Sequence, residues 1–255
     1  MIGCMYRERA SALAGATLWS SSPGVGDPQP ARILPDGCMD LIWSSRAGLL
    51  VAGPDTTAQL TSSRPGTRWV GLRLAPGAGP AVFGMPAYPL RDLRVPLDQI
   101  WPAGLVAELT DRLAGTGHPA AVLESVAADR LRGQGGPDPL AAAVVGRADA
   151  NLDVAATAAE LGLTARHLRR RCQALFGYGP KTLARIMRMR RALALVTSGV
   201  PAATAAVRAG YADQPHLCRE VRALAGVPLG VLTRPAQPRA AKRSTELPSG
   251  SVTTA

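Results

Sequence analysis

The chain is poor in histidine and lysine, and its cysteines are few and scattered. Its three histidines are His118, His167 and His216. With His118 alone before residue 167, and no second ligand at metal spacing from either later histidine, the usual imidazole metal sites lack their ligands. No metal and no cofactor is expected. Cys4, Cys38, Cys172 and Cys218 form no C-x-x-C pair, so free thiols are the default. No run approaches the roughly 18 apolar residues that cross a bilayer. Met1 to Arg9 lacks a basic stretch followed by an apolar run and a small-residue cleavage site. The expectation is a cytoplasmic chain that does not engage a membrane.

Basic charge is abundant, and it is unevenly placed. Residues 1–139 carry 12 basic and 12 acidic side chains, whereas residues 140–255 carry 17 against 6, so the whole net charge of +11 lies in the second part. Arginine outnumbers lysine 27 to 2. A coding bias toward arginine would enrich both parts alike. An anionic partner for the second part is the better reading, with nucleic acid ahead of a membrane surface.

Turn-forming residues punctuate the first hundred positions, which predicts a β-rich domain with short helices. Ile33-Leu34 leads into a Pro35-Asp36-Gly37 turn, and strands are predicted over Met39 to Trp43, Leu49 to Ala52 and Trp69 to Leu74. Beyond the breakers from Ala75 to Pro80, Leu105, Leu109 and Leu113 recur at helical spacing, and a second short helix is predicted over Ala120 to Leu131. Gly133 to Pro139 reads as a linker, since such a run neither nucleates a helix nor pairs as a strand. The expected organisation is a sensor or oligomerisation domain over 1–136, an all-α domain over 137–234 and a disordered tail over 235–255. The fold class is α+β, and Arg239, Lys242 and Arg243 read as charges of a solvated tail, with a weak, sequence-independent attraction to phosphates as the alternative.

One pattern occurs twice. His-Leu-x-Arg-x-x-x-Ala-Leu-x-Gly stands at His167 to Gly177 and again at His216 to Gly226. Each copy follows an alanine-rich helix and a glycine, Gly162 or Gly210, which reads as helix, tight turn, helix. In the first copy Thr164 is placed to cap a helix that buries Leu168, Cys172 and Leu175, leaving Arg166, Arg169, Arg170 and Gln173 on the other face. In the second, Asp213 is the cap and Pro215 is tolerated in the first turn. Leu217, Val221 and Leu224 form its buried stripe, and Gln214, Cys218, Arg219 and Arg222 remain outward. Short alanines at Ala158, Ala159, Ala205 and Ala206 let the paired helices approach. A helix of this size fits the major groove of double-stranded DNA, where arginine donates two bonds to guanine O6 and N7. His167 and His216 read as packing, capping or phosphate-contacting residues.

At these residues the chain resembles the AraC/XylS family of bacterial regulators. Val154 to Cys172 is similar to that family's first helix-turn-helix and Gly210 to Val221 to its second, with Lys181 to Val196 between them as a connecting helix striped by Leu183, Ile186, Met189 and Leu193. The resemblance covers about 100 residues. It implies a transcription regulator with no enzymatic activity, acting with RNA polymerase. Base contacts are implied at Arg166, Arg169 and Arg170, and at Gln214, Pro215, Cys218 and Arg219. Cys172 and Val221 stand where the family usually has phenylalanine, and Pro215 where it has a small or polar residue without proline's missing donor. Leu34 to Trp43, Ala52 to Pro54, Gly71 to Pro80 and Val95 to Trp101 resemble an uncharacterised domain found ahead of such units. The resemblance implies that this domain senses a small-molecule effector or mediates self-association as a homodimer, as such domains usually do.

Two other classes fit parts of the sequence. A DNA-associated enzyme would need a site in the first domain, from the Asp36 and Asp40 pair or from Cys38 as a nucleophile or redox sensor, though Pro35-Asp36-Gly37 is more simply a turn. A non-specific DNA-binding protein would show affinity without preference among sequences. Trp43, Trp69, Phe83 and Trp101 are either core or the walls of an effector site.

Overall fold

The computed structural model describes residues 5–22 and 31–233. Cys4 and the expected disordered tail lie outside the described residues. Strands dominate the first part: β1 (Met5–Ala10), β2 (Thr17–Ser22), β3 (Ala31–Ile33), β4 (Asp40–Ser44), β5 (Gly48–Ala52), β6 (Gln59–Thr61), β7 (Trp69–Arg73) and β8 (Arg94–Pro96). Six of them form an antiparallel sheet in the order β1-β2-β7-β4-β5-β8, and β3 pairs with β6 as a separate ribbon.

Register explains which face is buried. Leu18, Leu72, Leu41, Val51 and Val95 stand opposite one another across five strands. Because side chains alternate along each strand, this row fills one face. Three helices cover it: α1 (Gly79–Phe83), α2 (Ala103–Ala114) and α3 (Pro119–Gly133). The opposite face carries Trp19, Ile42 and Leu50, with Trp19 Nε1 donating to Asp40 Oδ1 at 2.7 Å. Trp43, Phe83 and Trp101 all lie in the covered core, which gives three of the four aromatics a packing role. Trp101 donates to the Phe83 carbonyl at 3.2 Å, and the Arg130 guanidinium sits 4.8 Å above its ring. Trp69 lies on the other face and is half-buried.

Leu109 and Leu113 are buried as the spacing predicts, whereas Leu105, in the first turn of α2, is 38% exposed. The run expected to be a linker joins two helices by a short turn, with Gly133 the last residue of α3 and Pro139 the first of α4 (Pro139–Asp149). The Gly136 amide closes the turn on the Leu131 carbonyl at 2.8 Å, and Asp138 caps α4 by accepting from the Leu140 amide at 2.9 Å.

The rest is helical: α5 (Val154–Glu160), α6 (Ala165–Phe176), α7 (Pro180–Thr197), α8 (Ala202–Ala209), α9 (Gln214–Ala225) and α10 (Leu229–Leu232). Two further cores form here. One gathers Ala141, Val144, Leu168, Cys172, Phe176 and Ile186, and the other Met189, Ala206, Leu217, Val221 and Leu224. The long helix α7 contributes to both and so links them. No described helix is long and apolar enough to cross a membrane.

Candidate nucleic-acid interface

The repeated sequence folds twice into the same object. Helices α6 and α9 are each 12 residues long. Thr164 Oγ1 accepts from the His167 amide at 3.2 Å, and Asp213 Oδ1 accepts from the His216 amide at 2.6 Å, so both caps expected from sequence are formed. Each helix ends on a left-handed glycine, Gly177 at φ 80° and Gly226 at φ 72°, a conformation that costs side-chain-bearing residues strain. Pro215 sits in the first turn of α9, where its missing N–H leaves no helical bond unmade. Removing either cap should cost about 1 kcal/mol of stability. Thermal melts of Thr164→Ala and Asp213→Ala check this; a change within error for both would mean the caps are replaced by water.

Burial sorts the expected site residues. Leu168, Cys172 and Leu175 on α6, and Leu217, Val221 and Leu224 on α9, are buried. Cys172 and Val221 are therefore core residues, and burial pushes the Cys172 thiol up to about 12. Arg166, His167, Arg169 and Arg170 are exposed on α6, as are Gln214, Pro215, Arg219 and Arg222 on α9. Gln173 and Cys218 are half-buried, Cys218 against the second helical core. His216 differs from its exposed counterpart His167: it packs edge-on against Tyr211 with ring centroids 5.2 Å apart, and its Nδ1 accepts from the Ala212 amide at 3.5 Å.

What sequence reading missed is the polar lattice that fixes α9 to the connecting helix. Arg185 makes two bonds to Glu220, at 2.9 and 3.2 Å, and Arg188 lies 3.8 Å from the same carboxylate. The hydrogen bond from Arg185 holds the Glu220 carboxyl below its ordinary range. The Arg188 guanidinium sits 4.5 Å above the Tyr211 ring, and Arg191 donates to the Ala209 carbonyl at 2.8 Å. Arginines at 185, 188 and 191 lie on one side of a helix at successive turns. That spacing was readable; its partners were not.

Cys38 is not presented as a nucleophile or sensor. It is buried, and burial with the nearby Asp36 and Asp40 carboxylates pushes its thiol well above the ordinary range, away from the thiolate that reactivity requires. Asp36 and Asp40 converge on Arg73, with Nε at 3.3 and 3.6 Å from their carboxylates, which gives the pair an electrostatic partner within the fold. Among the described residues no group of three or more His, Cys, Asp or Glu is placed to hold a metal ion.

Comparison with known proteins agrees with the repeat. Residues 157–234 match the family described as a helix-turn-helix domain, and residues 16–96 match a domain of unknown function (DUF6597). No curated protein matches the chain. Solved structures to which the chain is similar include the C-terminal domain of AraT, a response regulator from Geobacillus stearothermophilus, at 21% identity and TM-score 0.33, covering 40% of this chain and 93% of that one. They include ToxT from Vibrio cholerae O395, at 12% identity and TM-score 0.44, covering 86% and 97%. Unsaturated fatty acid-bound ToxT from strain SCE256 aligns at 11% identity and TM-score 0.46, covering 86% and 94%. With a duplicated, capped, arginine-faced helix inside the matched segment, the C-terminal region of the chain carries an AraC-type helix-turn-helix domain, which makes the chain a DNA-binding transcription regulator.

Proposed function

We propose that α6 and α9 enter adjacent major-groove segments on one face of the duplex and that Arg170 and Arg219 are equivalent base-reading residues. The observation that carries this is their position: each occupies the arginine of the repeated pattern and is exposed, while the leucines of the same pattern are buried. Arg166, Arg169 and Gln173 flank the first, and Gln214, Pro215, Cys218 and Arg222 the second, as base or phosphate contacts, with His167 a phosphate contact. A rigid α7 would hold the reading helices about one DNA turn apart, roughly 34 Å. The reading divides the chain into an N-terminal domain over 1–136 and a DNA-binding domain over 137–234, acting in the cytoplasm with RNA polymerase. The N-terminal domain answers to a small-molecule effector or a second copy of the chain, and no catalytic step is assigned to it.

Selection of sites from a random DNA pool tests this. One preferred sequence spanning two half-sites is expected, with affinity falling steeply with salt, at a log–log slope of about −0.9 per phosphate neutralised. Arg170→Ala should cost about 1–3 kcal/mol and relax preference in one half only. Arg219→Ala should act on the other half, at a smaller cost because Pro215 brings no donor to that helix. Equal losses on every sequence would make both arginines phosphate contacts, and a footprint of one half-site would rule out simultaneous docking.

A further inference from the structure

We infer that the N-terminal domain fixes the separation of the two reading helices by gripping the C-terminal end of each, and that Arg32 is a positioning residue for the spacing of DNA half-sites. This rests on the two-segment reading above. The last four carbonyls of a helix have no partner within it. In α6 the Ala174 carbonyl accepts from the Ala87 amide at 2.8 Å. In α9 the Leu224 carbonyl accepts from the Ala58 amide at 2.7 Å, and the Ala225 carbonyl accepts from Arg32 Nη1 at 2.7 Å. All three donors belong to the first hundred residues.

The grips come from separate places on the sheet domain. Ala87 follows α1, and Pro54 stands beside it so closely that a Cβ on Gly177 would lie 2.6 Å from the proline Cγ. Arg32 lies on β3 and Ala58 directly precedes β6, so both stand at the β3–β6 ribbon, and Leu34, just after β3, packs against the core of the second unit. A third contact holds the middle: Arg190 on α7 donates to the Asp36 carbonyl at 3.2 Å. The sheet domain thus bridges α6, α7 and α9 while the arginine faces of α6 and α9 stay exposed. Contacts that only masked the reading surface would cover those faces, and contacts that only satisfied stray carbonyls would not need to reach both repeats. A shift of α9 relative to α6 would break the ribbon contact as well as strain the packing of α9 on α7.

DNA makes this measurable. Inserting one base pair between half-sites turns one against the other by about 35° and moves it about 3.4 Å. The full chain should bind the selected site and lose about tenfold or more when one or two base pairs are added or removed, since one helix then loses its bases. With Arg32→Ala, or Leu34→Ala at the same contact, that penalty should shrink to less than about threefold, while affinity for an isolated first half-site stays unchanged and melting confirms the fold. Arg32→Lys should restore the wild-type profile. An unchanged spacing profile in folded Arg32→Ala overturns the inference. So does tighter binding to every duplex, which would make the contact a restraint on binding. A wild-type chain indifferent to spacing removes the two-segment reading itself, and this inference with it.

Discussion

Phe176→Ala is expected to lower the free energy of unfolding by about 3–5 kcal/mol, the range for deleting a fully buried aromatic ring. Phe176 closes α6 and is fully buried among Leu168, Cys172 and Ile186. Its ring also rests against the turn before α1, where a Cβ on Gly77 would lie 2.9 Å from Cε1. The cavity would open where the sheet domain meets the helical one, between backbone segments on both sides, so collapse around it is limited. Denaturant unfolding, followed by tryptophan fluorescence from the sheet domain and by circular dichroism from the helices, measures the loss. Coincident transitions, both shifted, are expected. A loss under about 1 kcal/mol would show that the site relaxes, and separated transitions would show that the junction adds little to either part.

The helical domain was legible from sequence because its signals are local. A cap, a stripe at helical spacing and a terminal glycine all lie within a dozen residues, and the duplication states them twice: Thr164 and Gly177, then Asp213 and Gly226. The sheet domain was less so. Its strands β4, β5 and β7 stand out as apolar runs between turns, and each was placed to within a residue. β1 reads Met-Tyr-Arg-Glu-Arg-Ala, an exposed edge strand whose pairing with β2 supplies what its composition does not. α1 is hidden by Gly79 and Pro80, residue types that break helices elsewhere but serve here as its first turn.

The site divides in the same way. Which arginines face outward follows from helical periodicity, and burial agrees at every buried stripe position on α6 and α9. The role of His216 does not follow, since the same pattern leaves His167 exposed and packs His216 against Tyr211. The Arg185–Glu220 pair spans 35 residues, and the bond from Arg32 to Ala225 spans 193. No periodicity encodes such contacts. They arise where two locally determined pieces meet, which is also where the relative placement of the reading helices is decided.

Asp40 should make part of the stability fall as pH rises, opposite to the usual carboxylate. It lies on β4 with its side chain 16% exposed. Burial pushes its carboxyl up to about 6 from 3.8, with the Asp36 carboxylate adding to the rise, while Arg73, the bond from Trp19 and Arg94 oppose it. Between those two values the folded chain holds a proton that the unfolded chain has released. The native state then binds more protons, so the free energy of unfolding declines through that window and levels above it, by up to about 3 kcal/mol at 1.36 kcal/mol per pKa unit. Glu220, held low by Arg185, contributes with the opposite sign. A difference measurement separates them. Asp40→Asn keeps an oxygen to accept from Trp19 Nε1, and Arg73 keeps Glu8 and Asp36, each at 3.3 Å. The stability of the variant minus that of the wild type should therefore grow by about 3 kcal/mol from pH 4 to pH 7, most of it below pH 6. A difference that stays constant across that range would mean the Asp40 carboxylate is as well accommodated in the folded chain as in water, with Arg73 outweighing its burial.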